Sequence, residues 1–239
     1  MRINRYISEK GNCSRREADK MIAEGRVKIA GRIAVLGDIV MQGQKVTVDG
    51  KTLGAPPKKV YLAFNKPVGI TCTTDLRVKD NIISYIGYPE RIFPIGRLDK
   101  DSEGLILLTN DGDVVNRVLR AEHEHQKEYH VRLNKEVTDG QLAQLLDGVE
   151  IFNPEKNEQV LVRAKKAEKT GTAGDEALIV LTQGLNRQVR RMFEAVGLKV
   201  IALKRIRIMH IKLGKLKTGY YRELSKAEVA GLWGRKKSL

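Results

Sequence analysis

A short segment between two apolar runs concentrates the side chains best suited to chemistry. Residues 96–104 read Gly-Arg-Leu-Asp-Lys-Asp-Ser-Glu-Gly, and the apolar run 105–108 follows directly. Flanking cations help keep a carboxylate ionised, which suits a nucleophile or a base, so Asp99 is a candidate for either role. Taken alone, the pattern fits a charged turn between two strands better than a reactive centre.

A helix predicted over residues 186–196 carries three arginines at different angles to its apolar stripe. The stripe consists of Val189, Met192, Phe193 and Val196. At about 100° per residue, Arg190 lies about 110° from the stripe centre, whereas Arg191 and Arg187 lie about 150° and 170° away. Arg190 is therefore predicted at the edge of the core, where a partly buried ion pair can form. Arg187 and Arg191 are interpreted as contacts to an RNA backbone or as solvated charges.

Tyr129 opens a strand-like run, residues 129–133, in which a tyrosine is usually part of the core. No Cys/His cluster has the spacing of a zinc site, and Cys13 and Cys72 cannot make a disulfide framework. No glycine-rich dinucleotide loop follows a predicted strand. We therefore expect neither a metal nor an organic cofactor.

The first fifty residues predict a compact module of two short helices and a few strands. Ser14 and Glu17 have the spacing of a capping box, which begins the second helix. The apolar stripe of this helix leaves Arg15, Arg16 and Lys20, here called the N-terminal cations, on another face. A short helix that presents arginines ahead of a hairpin suits an RNA backbone, and the same pattern also fits a solvated helix face.

The positions of these residues depend on two predicted domains and a linker. Residues 54–59 contain two adjacent prolines and interrupt every periodicity, so we predict a linker there, between domains of residues 1–53 and 60–239. The second domain mixes helices and strands irregularly, which favours an α+β fold with a largely antiparallel sheet flanked by helices. A change of phase among the apolar residues of 204–213 predicts a bulge or bend. Strands are predicted at 60–64, 105–108, 129–133, 160–162 and 178–181, and helices at 113–120, 138–147, 186–196 and 225–233.

The charge distribution indicates a polyanionic partner. The 239 residues carry 44 Lys plus Arg and 29 Asp plus Glu, a net charge of +15. By segment the balance is +4 over residues 1–50, −1 over 51–184 and +12 over 185–239. Two basic ends around a near-neutral middle favour nucleic acid over a solvated basic surface. The sequence has no apolar run of about 18 residues and no signal-peptide pattern, so we expect a cytoplasmic protein without a membrane span.

Two resemblances to known families make the interpretation of a nucleic-acid partner more specific. Residues 3–29 resemble the S4 RNA-binding domain, and residues 96–108 resemble the catalytic motif of pseudouridine synthases of the RsuA/RluB/RluE/RluF family. Residues 65–69, 127–129 and 183–192 match further motifs of that family in the family's order. Within it the chain looks most like the RluF type, which acts on 23S rRNA.

The resemblance implies a small αL-type S4 domain followed by a pseudouridine synthase domain. It implies that Asp99 is the essential nucleophile or base, that Tyr129 packs against the target base, and that Arg190 pairs with Asp99. Arg97 would fill the stack vacated by a flipped uridine. Substrate and product are isomers, so no cofactor is required.

Two alternatives remain at this stage. One is a non-catalytic RNA-binding or ribosome-assembly factor with the same fold, which the basic ends would suit equally well. The other is the same isomerisation on tRNA or 16S rRNA instead of 23S rRNA.

Overall fold

The protein consists of two compact units. A computed structural model describes residues 1–10, 13–119 and 125–234. The chain divides into two compact units, residues 1–59 with 89–91, and residues 60–88 with the chain from Ile92 onward. In the described residues, no helix has the length and apolar character needed to cross a membrane.

In the first unit, two helices pack on a four-stranded antiparallel sheet, whose strands in spatial order are Arg32–Ile33, Val27–Ile29, Val46–Val48 and Lys51–Thr52. The capping box predicted at the second helix is confirmed. Glu17 N donates to Ser14 Oγ at 3.1 Å, and Ser14 N donates to Glu17 Oε2 at 2.6 Å. The elements are α1 Ile3–Lys10, α2 Arg15–Ala23, β1 Val27–Ile29, β2 Arg32–Ile33, β3 Val46–Val48 and β4 Lys51–Thr52.

The second unit contains the larger sheet. Its described helices are α3 Ile82–Ile86, α4 Gly112–Leu119, α5 Asp139–Asp147, α6 Gln188–Ala195 and α7 Lys226–Leu232. Its described strands are β5 Tyr61–Lys66, β6 Phe93–Ile95, β7 Glu103–Thr109, β8 Lys127–Leu133, β9 Val149–Asn153, β10 Glu158–Val162, β11 Lys166–Thr170, β12 Glu176–Leu181, β13 Val200–Ile208, β14 Ile211–Lys212 and β15 Tyr221–Glu223.

The sheet runs in the order β11-β12-β8-β13-β7-β5-β15, with β6 paired to β7 and β14 to β13. Among the described strands of this sheet, β7 and β13 form the one parallel pair, and the other pairs are antiparallel. The prediction of an α+β fold with a largely antiparallel sheet is confirmed. The strands β9 and β10 form a separate hairpin.

Strand β7 lies in the middle of the sheet and is buried on both faces. Leu105 and Leu107 belong to a core cluster that includes residues of α4 and α7. Ile106 and Leu108 belong to a cluster on the other face, which includes Ile82 of α3. Because successive strand residues point to opposite faces, a continuous apolar run is what a doubly covered strand requires. The turn that precedes β7 is thereby anchored to the core.

Several predicted elements differ in extent or nature from those observed. The phase change in residues 204–213 corresponds to two features, a register shift of β13 between Arg205 and Arg207 and a turn at Met209, whose φ is 53°. Short or half-exposed elements such as β9, β11 and α3 were not predicted, because their apolar periodicity is weak. Arg120, the last residue of one predicted helix, lies outside the described residues.

Candidate active site

The turn that carries Asp99 joins β6 to β7 and is held by the main chain. Ser102 N donates to Asp99 O at 3.1 Å, and Gly69 N donates to Lys100 O at 2.7 Å. Ser102 is fully buried. These bonds attach the turn to the segment that follows β5 and limit the positions available to Asp99.

Two arginines hold carbonyl groups on either side of Asp99. Arg190 Nη2 donates to Asp101 O at 3.0 Å, and Arg205 Nη1 donates to Arg97 O at 3.2 Å. Arg205 Nε also donates to Leu105 O, at 2.7 Å. Hydrogen bonds from a charged donor are stronger than neutral ones, so these contacts fix the backbone on which Asp99 is carried.

The ion pair expected between Arg190 and Asp99 is not present, and Asp101 takes its place. Arg190 Nη2 lies 3.4 Å from Asp101 Oδ2, and Arg187 Nη1 donates to both carboxylate oxygens of Asp101 at 3.0 Å. The prediction was wrong because Asp101, two residues later in the turn, is the carboxylate that meets α6. For Asp99, the described part of the chain supplies neither a hydrogen bond nor an ion pair to the carboxylate.

The arginines at the start of α6 differ in burial. Arg190 lies within the helix, whereas Arg187 precedes it with a φ of 51°, so the helical angle predicted for Arg187 does not apply. The Arg190 side chain is 12% exposed, against 42% for Arg187. Arg190 also donates to Val200 O at 3.1 Å and to Ser102 Oγ at 3.3 Å. Arg190 therefore lies at the edge of the core, as predicted, and bonds the turn to the start of β13.

Asp99 and Tyr129 line the same cavity, which has a volume of about 570 Å³. Tyr129 is 7% exposed and lies opposite Arg205 in the pairing of β8 with β13, so both side chains are on one face of the sheet. Arg205 and Arg187 also line the cavity. A second cavity of about 450 Å³ shares Asp99 and Arg187 with the first. The carboxylate thus borders a space large enough for a nucleotide.

The surroundings of the cavity are rich in buried cations. Lys66 is fully buried and donates to Pro67 O at 2.8 Å and Ile70 O at 2.9 Å. Burial lowers the pKa of Lys66, and the negative charges of Asp101 and Asp99 partly oppose that shift. Burial, and secondarily the charge of Arg205, lower the pKa of Lys127 on the cavity wall.

A glycine permits the close approach of β7 to β13. Gly104 pairs with Arg205 in the parallel register and has a φ of +106°. A Cβ at this position would lie 2.3 Å from Arg205 O, too close for any other residue. The close approach of the two strands therefore explains why the motif of residues 96–104 ends in glycine.

The remaining predicted RNA-binding residues lie in different surroundings. Arg97 is exposed at the cavity. Arg191 is half-buried and donates to Phe152 O and, at 3.4 Å, to Asn186 Oδ1. The N-terminal cations are exposed on α2, where Lys20 lies 3.7 Å from Glu24.

Sequence reasoning missed the roles of Asp101, Lys66 and Arg205. Lys66 and Asp101 each lie within a recognised motif, so their positions were visible but not their contacts. Arg205 lies in none of the recognised motifs. The one sequence signal for a functional role was the presence of a charged residue within an apolar strand pattern.

The two units correspond to two families of known domains, an RNA-modifying enzyme and an RNA-binding module. The sequence profile described as RNA pseudouridylate synthase matches residues 60–195, and the S4 domain profile matches residues 1–40.

Similar proteins cover nearly the whole chain. A Salmonella typhi protein named dual-specificity RNA pseudouridine synthase RluF is 44% identical over 236 residues, covering 97% of this chain and 78% of that protein. A Haemophilus influenzae protein named ribosomal large subunit pseudouridine synthase B is 37% identical over 227 residues, covering 90% of this chain and 61% of that protein. A crystal structure of a pseudouridylate synthase matches with a TM-score of 0.68 at 30% identity, covering 97% and 99% of the two chains.

The chain belongs to the RNA pseudouridylate synthase family. It is a pseudouridine synthase with an N-terminal S4 RNA-binding domain.

Proposed function

We propose that this enzyme converts a specific uridine of 23S rRNA into pseudouridine in the cavity lined by Asp99 and Tyr129. The observation that carries the proposal is the Asp99 carboxylate, which has no partner in the described residues and stands on a turn fixed by two arginines. A carboxylate with no competing partner is available to the substrate, and a fixed backbone lowers the entropic cost of reaction.

The choice of 23S rRNA is supported by the relatives, while the charge distribution supports RNA in general. One relative is named as an enzyme of the ribosomal large subunit, and others are named as dual-specificity enzymes. Because the name dual-specificity indicates two substrates in those relatives, the experiment below also includes a second RNA, with tRNA as the first candidate. Ribosomal RNA as substrate also implies that the enzyme acts in the cytoplasm.

The proposed reaction breaks the C1′–N1 glycosidic bond, rotates the uracil in the cavity, and joins C5 to C1′. Asp99 serves as the nucleophile or base, and Tyr129 packs against the base. A uridine in folded RNA must first be flipped out, which costs a few kcal/mol. Arg97, exposed beside the cavity, is suited to fill the vacated stack. No cofactor is required, because every atom of the product comes from the substrate except exchanged protons.

Arg190 acts in this scheme as a positioning residue. Its bonds to Asp101 O and Ser102 Oγ restrain the turn that carries Asp99. The N-terminal cations supply phosphate contacts, together with Arg187 and Arg191. Because Arg187 is paired with Asp101, an RNA phosphate would share or replace that partner.

The test is Asp99→Asn, assayed for pseudouridine in transcribed 23S rRNA, with 16S rRNA and tRNA transcripts in parallel. We expect the wild type to modify 23S rRNA, and the variant to lose activity while its RNA Kd stays within about threefold, because the Asn amide keeps the shape of the carboxylate and removes its negative charge and nucleophilicity. Asp101→Asn is the matched control, since it changes a neighbouring carboxylate outside the cavity's proposed chemistry. Activity of Asp99→Asn near wild type would overturn the catalytic assignment. Modification of 16S rRNA or tRNA alone would overturn the substrate assignment.

A further inference from the structure

Arg205 is a buried cation whose charge has no acidic partner in the described residues. It is 3% exposed, and its hydrogen bonds go to two backbone carbonyl groups. Its Nη2 is buried without a hydrogen-bond partner. A buried charge is costly unless it is paired, so retaining one beside a cavity points to a negative partner that arrives from outside.

Two half-buried arginines of the same unit differ in this respect. Arg190 lies against the carboxylate of Asp101, and Arg207, two residues beyond Arg205, pairs with Glu128. Arg190 also has one unbonded buried N–H, at Nε, but its charge is matched. Among these three arginines, Arg205 is therefore the one whose charge is unmatched, and this is not a general property of strand β13.

The positive charge around Arg205 is reinforced by its neighbours. Lys127 lies on the same cavity wall, and the charge of Arg205 contributes to lowering the pKa of Lys127. Lys66, fully buried below the turn, is affected by Arg205 in the same direction. Lys127 and Arg205 line the cavity together with Asp99, and Lys66 is buried outside its lining.

We propose that Arg205 contacts the target uracil and stabilises the negative charge that the base acquires when its bond to the ribose breaks. This inference rests on the proposed function. It assigns to Arg205 a catalytic role through a carbonyl oxygen of the base, in addition to its bonds to the turn. A preorganised donor in a site that excludes water is worth far more than the same donor in water.

The charge follows from the electron balance of the reaction. When C1′–N1 breaks, both electrons of that bond stay with the uracil, whose negative charge spreads over N1, O2 and O4. The ribose fragment is then either bonded to Asp99 or has lost a proton to it. After rotation, C5 attacks C1′. In the first case the attack displaces the Asp99 carboxylate from C1′, and in the second Asp99 returns the proton to C2′. The proton on C5 then leaves, and N1 takes up a proton. Arg205 stabilises the anion that exists between these two events.

The experiment uses the full-length enzyme and synthetic RNAs that carry the mapped target as uridine, 2-thiouridine or 4-thiouridine. Sulfur accepts hydrogen bonds more weakly than oxygen, so replacing the oxygen that faces Arg205 should slow the wild-type single-turnover rate about fivefold. Arg205→Lys should slow the reaction of uridine about a hundredfold with little change in RNA Kd. Arg207→Lys is the matched control, because it changes a neighbouring arginine of β13 that already has a carboxylate partner.

The decisive measurement is the ratio of uridine to thiouridine rates in each enzyme. If Arg205 contacts the base, one of the two ratios falls toward one in Arg205→Lys and stays at its wild-type value in Arg207→Lys. If Arg205 only holds the turn, Arg205→Lys slows all three RNAs by the same factor, and the inference is overturned. Equal wild-type rates on all three RNAs overturn it without any variant. Failure of the wild type to form pseudouridine from uridine would instead refute the proposed function.

Discussion

Arg190→Lys separates two ways in which an arginine can support Asp99. If Arg190 acts only as a positive charge near the carboxylate, lysine should largely replace it. The structure indicates a different role, in which the two ends of one guanidinium hold separate groups. Nη1 donates to Val200 O at 3.1 Å, while Nη2 donates to Asp101 O at 3.0 Å and to Ser102 Oγ at 3.3 Å.

The magnitude follows from the bonds that lysine cannot make. A lysine ammonium is a single centre without a planar fork, so it cannot reach Val200 O and the turn at the same time. With the side chain only 12% exposed, water replaces the lost bonds poorly. Hydrogen bonds to charged groups contribute about 1.5–3 kcal/mol each, so we expect a loss of about 3 kcal/mol in positioning the turn. If this loss appears in the transition state, the rate falls about a hundredfold.

The assay is single-turnover pseudouridine formation at saturating enzyme, with RNA Kd measured separately by filter binding. We expect Arg190→Lys to lower the rate and leave Kd nearly unchanged. Asp101→Asn is the control. It removes carboxylate contacts to Arg187 and Arg190 but keeps the Asp101 carbonyl. The Asp101 side chain is 48% exposed, so its pairs contribute at most about 1 kcal/mol and the rate should stay within about fivefold.

Two results would refute this reasoning. A rate for Arg190→Lys within about threefold of wild type would show that charge is sufficient, since a threefold change is well under 1 kcal/mol. A loss in Asp101→Asn as large as that in Arg190→Lys would show that the carboxylate pair, and not the bond to the carbonyl, supports the site.

Two further predictions concern RNA binding and stability. Changing the three N-terminal cations to Gln should reduce the slope of log Kd against log salt by about 2. The reason is that each phosphate contact to single-stranded RNA releases about 0.7 counterions, and three such contacts are removed. An unchanged slope would show that this helix face does not contact phosphate. Hydrogen bonds from Arg222 lower the pKa of the Glu228 carboxyl to about 2, below its ordinary 4.5, so the pair stabilises the fold above pH 4.5 and loses that effect as the pH falls toward 2. Glu228→Gln should therefore lower the free energy of unfolding by about 1 kcal/mol at pH 7 and by less at pH 3, as measured by urea unfolding with Trp233 fluorescence. A difference between wild type and variant that is equal at both pH values would contradict the assigned ion pair.

The sequence by itself determined the elements with a strong apolar pattern or a capping box, the motif that carries the candidate carboxylate, and the family. Capping residues define where α2 and α7 begin, because a side-chain acceptor three residues before a matching Glu satisfies local backbone groups without help from the rest of the fold. The apolar run of β7 predicted a buried strand, and the loop before it carries Asp99. The helical angle of Arg190 predicted its position at the edge of the core, because the direction of a side chain relative to an apolar stripe is a local property within a helix.

Only the tertiary structure decided which groups meet. A helical angle gives the direction of Arg190 but not which of two carboxylates, two residues apart in a turn, will lie beside it, and Asp101 was the one. The sequence also could not predict which face of the sheet the Arg205 side chain occupies, because a register shift next to Arg205 breaks the alternation from which faces are inferred. Its position opposite Tyr129 and beside Gly104 arises from pairing between strands far apart in sequence, which local spacing does not encode. The carboxylate could be found from the motif, but the arginines around it could be assigned only once the sheet had brought β7, β8 and β13 together.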